Sequence, residues 1–332
     1  MKKLFYFLAI TALLSAVLIS CKDKSNITGI KISKENLTLG IGQSETLSAN
    51  LLPYDATDKM KWNSSDNNVI SLSVENENQA SPVSKCVITA KKSGTAIITV
   101  STKDGKYSVT CTVKVINTEP ELIWVEGSTF TMGCTDGDCN EDGREEPAHE
   151  VTVNGFNIAK CPVTQEQWKV IMGNNPSYCI GDEHPVELIS WQDAQQFIQK
   201  LNVQTGKKYR LLTEAEWEYA ARGGNKTNNY KYSGSNNVEA VAWYSLNSGI
   251  KSHPVGTKAP NELGIYDMSG NVWEWCSDWY AEYDGDPQTN PTSRVIRGGC
   301  YDVGAQRVRV SMRSQHYPDH PNIYIGFRIA HP

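Results

Sequence analysis

Thiols and carboxylates are the groups in this chain whose placement invites chemistry. The stretch DMSGNVWEWCSDWY, residues 267–280, sets Cys276 among Trp273, Trp275 and Trp279 and the acids Asp267, Glu274 and Asp278. Cys300 follows in RGGCYDVGAQ. Two close thiolates would suit Cu(I), whereas carboxylates with backbone carbonyls suit a hard cation such as Ca²⁺. A single thiol becomes a nucleophile when a neighbouring cation lowers its pKa, and the sequence secures no such neighbour for Cys300. Cys276 and Cys300 therefore leave three readings open: a disulfide, one reactive thiol, or two inert buried thiols. Cys134 and Cys139 stand five apart in a Gly/Asp-rich loop and could pair locally, and Cys161 and Cys179 flank a helix. Cys86 and Cys111 either bridge or lie buried as free thiols. The six histidines are scattered. His316 and His320 are four apart, but Pro318 between them argues against one helical face presenting both to a metal. There is no Gly-rich phosphate loop, and no spacing of acids singles out acid–base catalysis.

Capping chemistry locates the helices that must position these groups. Thr164 is followed by Gln167, Ser190 by Asp193 and Thr213 by Glu216, each pair able to cap reciprocally. An apolar residue precedes each cap (Val163, Ile189, Leu212) and Trp168, Ala194 or Trp217 stands four after it, the spacing of a hydrophobic staple. In the second helix Ala194, Phe197, Ile198 and Leu201 follow the i, i+3, i+4, i+7 rule and predict one buried face. The third helix is expected to stop at Arg222-Gly223-Gly224, where glycine takes a left-handed conformation. Beyond Gly224, turns, aromatics and short strands dominate.

Residues 26–117 have a different texture, rich in Ser, Thr, Val, Ile and Asn. In KYSVTCTVKVI, residues 107, 109, 111, 113 and 115 point one way and the polar residues between them the other, the period of a half-buried strand. GTAIITVSTKDGKY reads as a strand, a Lys-Asp-Gly turn and a return strand. Several such strands predict a small β-sandwich. Residues 1–20 read as an export signal, with Lys2 and Lys3 before an apolar run too short for a comfortable transmembrane helix. A net charge of −5 gives no electrostatic reason to expect nucleic acid as a partner.

Three family resemblances follow from these stretches. LISC, residues 18–21, resembles the lipobox of bacterial lipoproteins. It implies lipid on Cys21, a tether at residues 21–25, and an exported protein anchored to a membrane, facing periplasm or cell surface. ITGIKIS, KWNSSD with Trp62, and Gly94 before AIITV resemble a group 2 bacterial immunoglobulin-like domain, implying a spacer or adhesive module. From residue 118 to 332, CPVTQEQWKVIMGNNPS, PVELISWQDAQQFIQKLN, YRLLTEAEWEYAARGG, GNVWEW, RVIRGGCY and IGFRIA occur in order. They resemble the formylglycine-generating enzyme family. That resemblance implies an irregular α+β fold related to C-type lectins, after an all-β immunoglobulin-like sandwich.

The same resemblance places a structural calcium site on Asp267, Gly270, Val272 and Glu274. A second family calcium site would need an oxygen where Val241 stands, and that ion is expected to be absent or weak. In the oxidases, copper is held by two cysteines after the Arg-Gly-Gly turn. Here that segment has no cysteine after Cys300; Ala305 stands where the second would be, and the first falls within residues 302–304. Cys300 replaces a pocket serine and Tyr324 an asparagine. Copper and oxidase chemistry are therefore not expected, since one thiol cannot supply two thiolate ligands. Trp273, Cys300 and Tyr324 are expected to line a pocket, with Cys300 the candidate if any altered catalysis exists. The expected role is binding or structural, with envelope proteins or glycans as partners. An altered-site enzyme, or a component of an envelope machine of the gliding-motility type, are the alternatives.

Overall fold

A computed structural model describes residues 26–135, 137, 139, 143–284 and 291–332. Cys21 and the apolar leader lie outside the described residues. Among the described residues, no helix is long and apolar enough to cross a membrane.

The N-terminal unit contains β1 (Gly29–Ile32), β2 (Asn36–Gly40), β3 (Ser44–Leu52) and β4 (Lys61–Ser64). It continues with β5 (Ile70–Val74), β6 (Val83–Ala90), β7 (Gly94–Ser101) and β8 (Ser108–Ile116). They form two sheets, ordered β1-β3-β6-β5 and β2-β8-β7-β4. On β8, Cys111, Val113 and Val115 are buried while Thr110, Thr112 and Lys114 are exposed, the predicted alternation. β7 and β8 pair antiparallel through the predicted hairpin, with Ser101 opposite Ser108. Leu47, Ile88, Ile98 and Val113 fill the space between the sheets. Trp62 joins them and donates its indole N–H to Ser84 Oγ at 2.9 Å. Cys86 and Cys111 are free in this core, so the bridging alternative for them falls.

The C-terminal unit begins with β9 (Leu122–Val125), β10 (Ser128–Met132), β11 (His149–Val153) and β12 (Phe156–Ala159). Helices α1 (Gln165–Met172) and α2 (Trp191–Thr205) follow, then β13 (Arg210–Leu211), α3 (Glu214–Ala221) and the single turn α4 (Val238–Val241). The last strands are β14 (Trp273–Trp279), β15 (Arg294–Arg297), β16 (Arg313–His316), β17 (Ile325–Gly326) and β18 (Ile329–His331). They build sheets β13-β18-β12-β9 and β16-β15-β14-β17 and the pair β10-β11. Each expected capping box is present, Thr164 with Gln167, Ser190 with Asp193 and Thr213 with Glu216. The staple residues Val163, Trp168, Ile189, Ala194, Leu212 and Trp217 are buried. α3 ends where expected, with Gly223 at φ 92°. Trp168 stacks on Phe197 of α2 with ring centroids 5.4 Å apart, and Phe327 meets Phe197 edge-on at the same distance.

Four buried arginines tie these sheets to the helices. Arg313 of β16 pairs with Glu214 at 2.7 and 2.8 Å, and Arg309 with Glu145 at 2.5 and 2.9 Å. Arg297 of β15 pairs with Glu218 of α3, and Arg328 holds Glu274 of β14. All four guanidinium groups are at most 2% exposed, so each is affordable only because its carboxylate is buried beside it.

The two units meet at the end of β2. Gln43 Nε2 donates to Val170 O at 3.0 Å, Gln204 Nε2 donates to Ile41 O at 3.1 Å, and Lys114 pairs with Glu166. A Cβ at Gly40 would sit 2.8 Å from Thr118 Cγ2 and 3.0 Å from Val170 Cγ1, so glycine is what lets the backbones close here.

Candidate functional site

The site is assembled where β14 leaves the GNVWEW turn. Gly298 and Gly299 have φ of 95° and 75°, a left-handed pair that side chains resist, and they turn the chain from β15 to present Cys300. Asn271 fixes the facing turn. Its side chain accepts from His253 N at 3.0 Å and donates to His253 O at 3.1 Å, while its carbonyl accepts from Tyr301 N at 2.9 Å. Trp273 and Cys300 are thus brought together, with the indole hydrogen-bonded to the thiol. Cys300 is only 1% exposed, and burial pushes its thiol up to about 12. Tyr324, half-buried, hydrogen-bonds Asp302, which raises its phenol. Its ring centre lies 5.3 Å from that of Tyr301.

Cys276 is placed elsewhere. It is fully buried beside Trp217 and Tyr280, in a different apolar cluster from Cys300, and both are free thiols. The Cys276–Cys300 disulfide therefore does not form, and Cys161 and Cys179 are also unpaired. The local pair Cys134–Cys139 does form, with Cα atoms 5.5 Å apart.

Several neighbours of this cluster were missed from sequence. Tyr301 lies with its hydroxyl against the Cys179 thiol, and the charge of Glu187 bears on the same phenol. Glu187 is fully buried; one oxygen accepts from Cys179 N at 2.7 Å and the other has no partner, so burial raises its pKa. A signal existed: Glu187 interrupts the apolar run of PVELIS. Near this cluster, Tyr178 is 67% exposed and Ile180 is 71% exposed. Leu246 and Ile250, also exposed, belong to a segment held to the Cys300 turn by Ser245 N donating to Val303 O and Ser248 Oγ donating to Tyr301 O.

The residues expected to hold calcium sit on one turn with mixed suitability. Asp267, at φ 57°, is buried and accepts from Gly256 N at 2.7 Å; burial pushes its carboxyl up to about 6. A buried carboxylate short of compensation is a fitting ligand for a hard cation. Glu274 is more committed. It receives Arg328 Nε and Nη2 at 2.7 to 3.2 Å and Trp217 Nε1 at 2.7 Å. These contacts use about the four lone-pair directions a carboxylate offers. The donor set therefore fits calcium in type, but Glu274 must release part of its hold on Arg328 or Trp217 to contribute an oxygen.

Each unit matches a known family. Residues 109–332 match the sulfatase-modifying factor enzyme 1-like domain, and residues 26–113 the group 2 bacterial Ig-like domain. The chain is 37% identical over 243 residues to the chaperone protein LppX of Paenibacillus barcinonensis, covering 58% of this chain and 82% of that one. It is 37% identical to the formylglycine-generating enzyme of Streptomyces coelicolor, over 44% of this chain and 52% of the enzyme. This chain thus spans about half the length of that enzyme. Among solved structures, Treponema denticola variable protein 1 superposes with TM-score 0.56 at 31% identity, covering 63% of this chain and 94% of that one. PvdO from Pseudomonas aeruginosa does so with TM-score 0.56 at 27% identity, over 65% and 95%. The chain belongs to the sulfatase-modifying factor enzyme 1-like domain family, here joined to an immunoglobulin-like sandwich.

Proposed function

We propose that this chain is an exported, lipid-anchored binding protein that holds a polypeptide on the exposed apolar surface beside the Cys300 turn and does not perform formylglycine-generating oxidation. The observation that carries this reading is the sulfur chemistry of the Cys300 turn. The turn after Arg297 supplies one cysteine, buried and held in the neutral thiol form, where a copper oxidase needs two thiolates. The exposed apolar side chains of Tyr178, Ile180, Leu246 and Ile250 support a protein partner, since exposed apolar surface marks interaction sites. The relative named as a chaperone supports the same partner class.

The test pairs two assays on the mature protein. With copper and oxygen, a Cys-x-Pro-x-Arg peptide should keep its mass, and the protein should suppress aggregation of a denatured client. Ile180→Asp with Ile250→Asp should weaken that suppression severalfold. Oxidation of the peptide cysteine would sink the reading, as would suppression that ignores both substitutions. Lipid on Cys21 is part of the proposal, and Cys21→Ser should move the protein from the membrane to the soluble fraction.

Calcium belongs to the proposal as a structural ion, with Asp267 and Glu274 as its carboxylates and Gly270 and Val272 supplying carbonyls. Calcium should then raise the melting temperature relative to a chelator, and Asp267→Asn should remove most of the difference. Equal melting with and without calcium would leave Arg328 as the sole cation of this turn.

A further inference from the structure

The sheet β13-β18-β12-β9 leaves part of one face open. On that face Leu122, Ala159 and Ile329 pack into the cluster that includes Phe197 and Leu201 of α2. Side chains two positions along a strand return to the same face. The next row is therefore Trp124, Asn157 and His331, with Asn157 directly opposite each of the other two. Here the cover ends: Trp124 is 53% exposed, and Asn157 and His331 are half-buried.

Each member of the row is held in place yet keeps a group turned to solvent. The Trp124 ring lies over Gly155, where a Cβ would come within 2.6 Å of Cζ2 and 2.7 Å of Cη2, so only glycine lets the ring settle there. Its indole N–H donates to Glu126 Oε2 at 3.0 Å, which fixes the ring's direction. Pro332 O accepts from His331 Nδ1 at 2.8 Å and from Asn157 Nδ2 at 3.4 Å. That oxygen can only accept, so His331 carries its proton on Nδ1 and the neutral ring offers Nε2 as an acceptor. Among the described residues, His331 Nε2 and Asn157 Oδ1 have no partner, and neither is among the polar atoms closed off from solvent. Two accessible acceptors thus stand beside an open aromatic ring.

Their complement is a molecule with an apolar face and hydroxyl donors at its edge. A pyranose has this form: its axial C–H bonds make an apolar face and its equatorial hydroxyls point outward around the ring. We propose that Trp124, Asn157 and His331 form a shelf for a neutral glycan, whose C–H face covers Trp124 and whose hydroxyls donate to Asn157 Oδ1 and His331 Nε2. Neighbouring strands lie about 4.8 Å apart, so the row spans about 10 Å, the reach of a disaccharide. Charge favours an uncharged occupant. The row has no formal charge, and Glu126 at its edge repels phosphate, sulfate and carboxylate groups, which would also bring acceptors to acceptors. An apolar peptide side chain would cover Trp124 but leave both acceptors unmet. The shelf lies on a different sheet from the strands around the Cys300 turn and does not depend on the function proposed there.

The experiment is saturation-transfer NMR on the mature protein with four neutral disaccharides as probes: cellobiose, lactose, mannobiose and chitobiose. At least one should receive saturable transfer, strongest at the C–H protons of one ring face. Trp124→Ala should abolish it, and because that side chain lies outside the core, an unchanged melting temperature shows that the variant folds. Affinity should fall about tenfold in His331→Phe, which keeps a ring but loses the acceptor, and similarly in Asn157→Leu. Absence of transfer to all four sugars overturns the proposal, as does transfer that persists in Trp124→Ala, which would place the sugar elsewhere. If n-butylammonium or N-acetyl-leucine methylamide binds at Trp124 more tightly than any of the sugars, the shelf belongs to a polypeptide side chain and the glycan assignment falls.

Discussion

At the scale of single residues, burial decides what the thiols can do. Desolvation raises Cys86 and Cys161 to about 11 and Cys300 to about 12 from an ordinary value of 9.0. The sign follows from linkage: the folded protein keeps these protons where the unfolded chain has lost them. Their contribution is complete below pH 9 and is lost as pH rises through the folded values. The melting temperature should therefore decline across the window from about pH 9 to about pH 12, and Cys300→Ala should flatten the upper part of that decline. An unchanged slope would show that Cys300 ionises as freely in the folded state as in the unfolded one. In the same window, alkylation of Cys300 should require denaturant, and mass spectrometry of the labelled peptide reads this out.

At the scale of elements, legibility divides along sequence distance. The helices were written locally: cap, staple and terminal glycine all lie within a few positions, so Thr164, Ser190 and Thr213 marked three helix starts correctly. The alternation on β8 is equally local. The ion pairs were not legible. Arg309 meets Glu145 across 164 positions and Arg313 meets Glu214 across 99, and nothing near any of these residues announces a buried partner. The same limit hid Glu187 behind Tyr301, and left the partners of Glu274 open. Glu145→Gln should cost about 3–5 kcal/mol, because it strands the Arg309 charge in the interior. Replacing both, as Glu145→Leu with Arg309→Met, should recover most of that loss in denaturant melts. A single variant as stable as the parent would mean that Arg309 finds water or another acceptor.

At the scale of the whole molecule, the sandwich and the C-terminal domain meet at the Gly40 junction. Polar contacts from Gln43, Gln204 and Lys114 cross it, and the glycine permits their approach. Gly40→Val should force the two units apart while each stays folded. Small-angle scattering should then report a larger radius of gyration, and calorimetry two transitions where the parent has one. A scattering profile identical to the parent would show that the junction tolerates the added side chain.

The strand β18 lies between β13 and β12, and Arg328 just before it closes on Glu274. An interior strand and a buried countercharge both come from residues 328–331, which are translated after every other strand described in this unit. Until they emerge from the ribosome, β12 and β13 have no common neighbour and Glu274 has no guanidinium. The domain is therefore built to fold after synthesis of its own end. Until then the tryptophan-rich β14 lacks the Arg328–Glu274 pair that ties it to the rest of the domain.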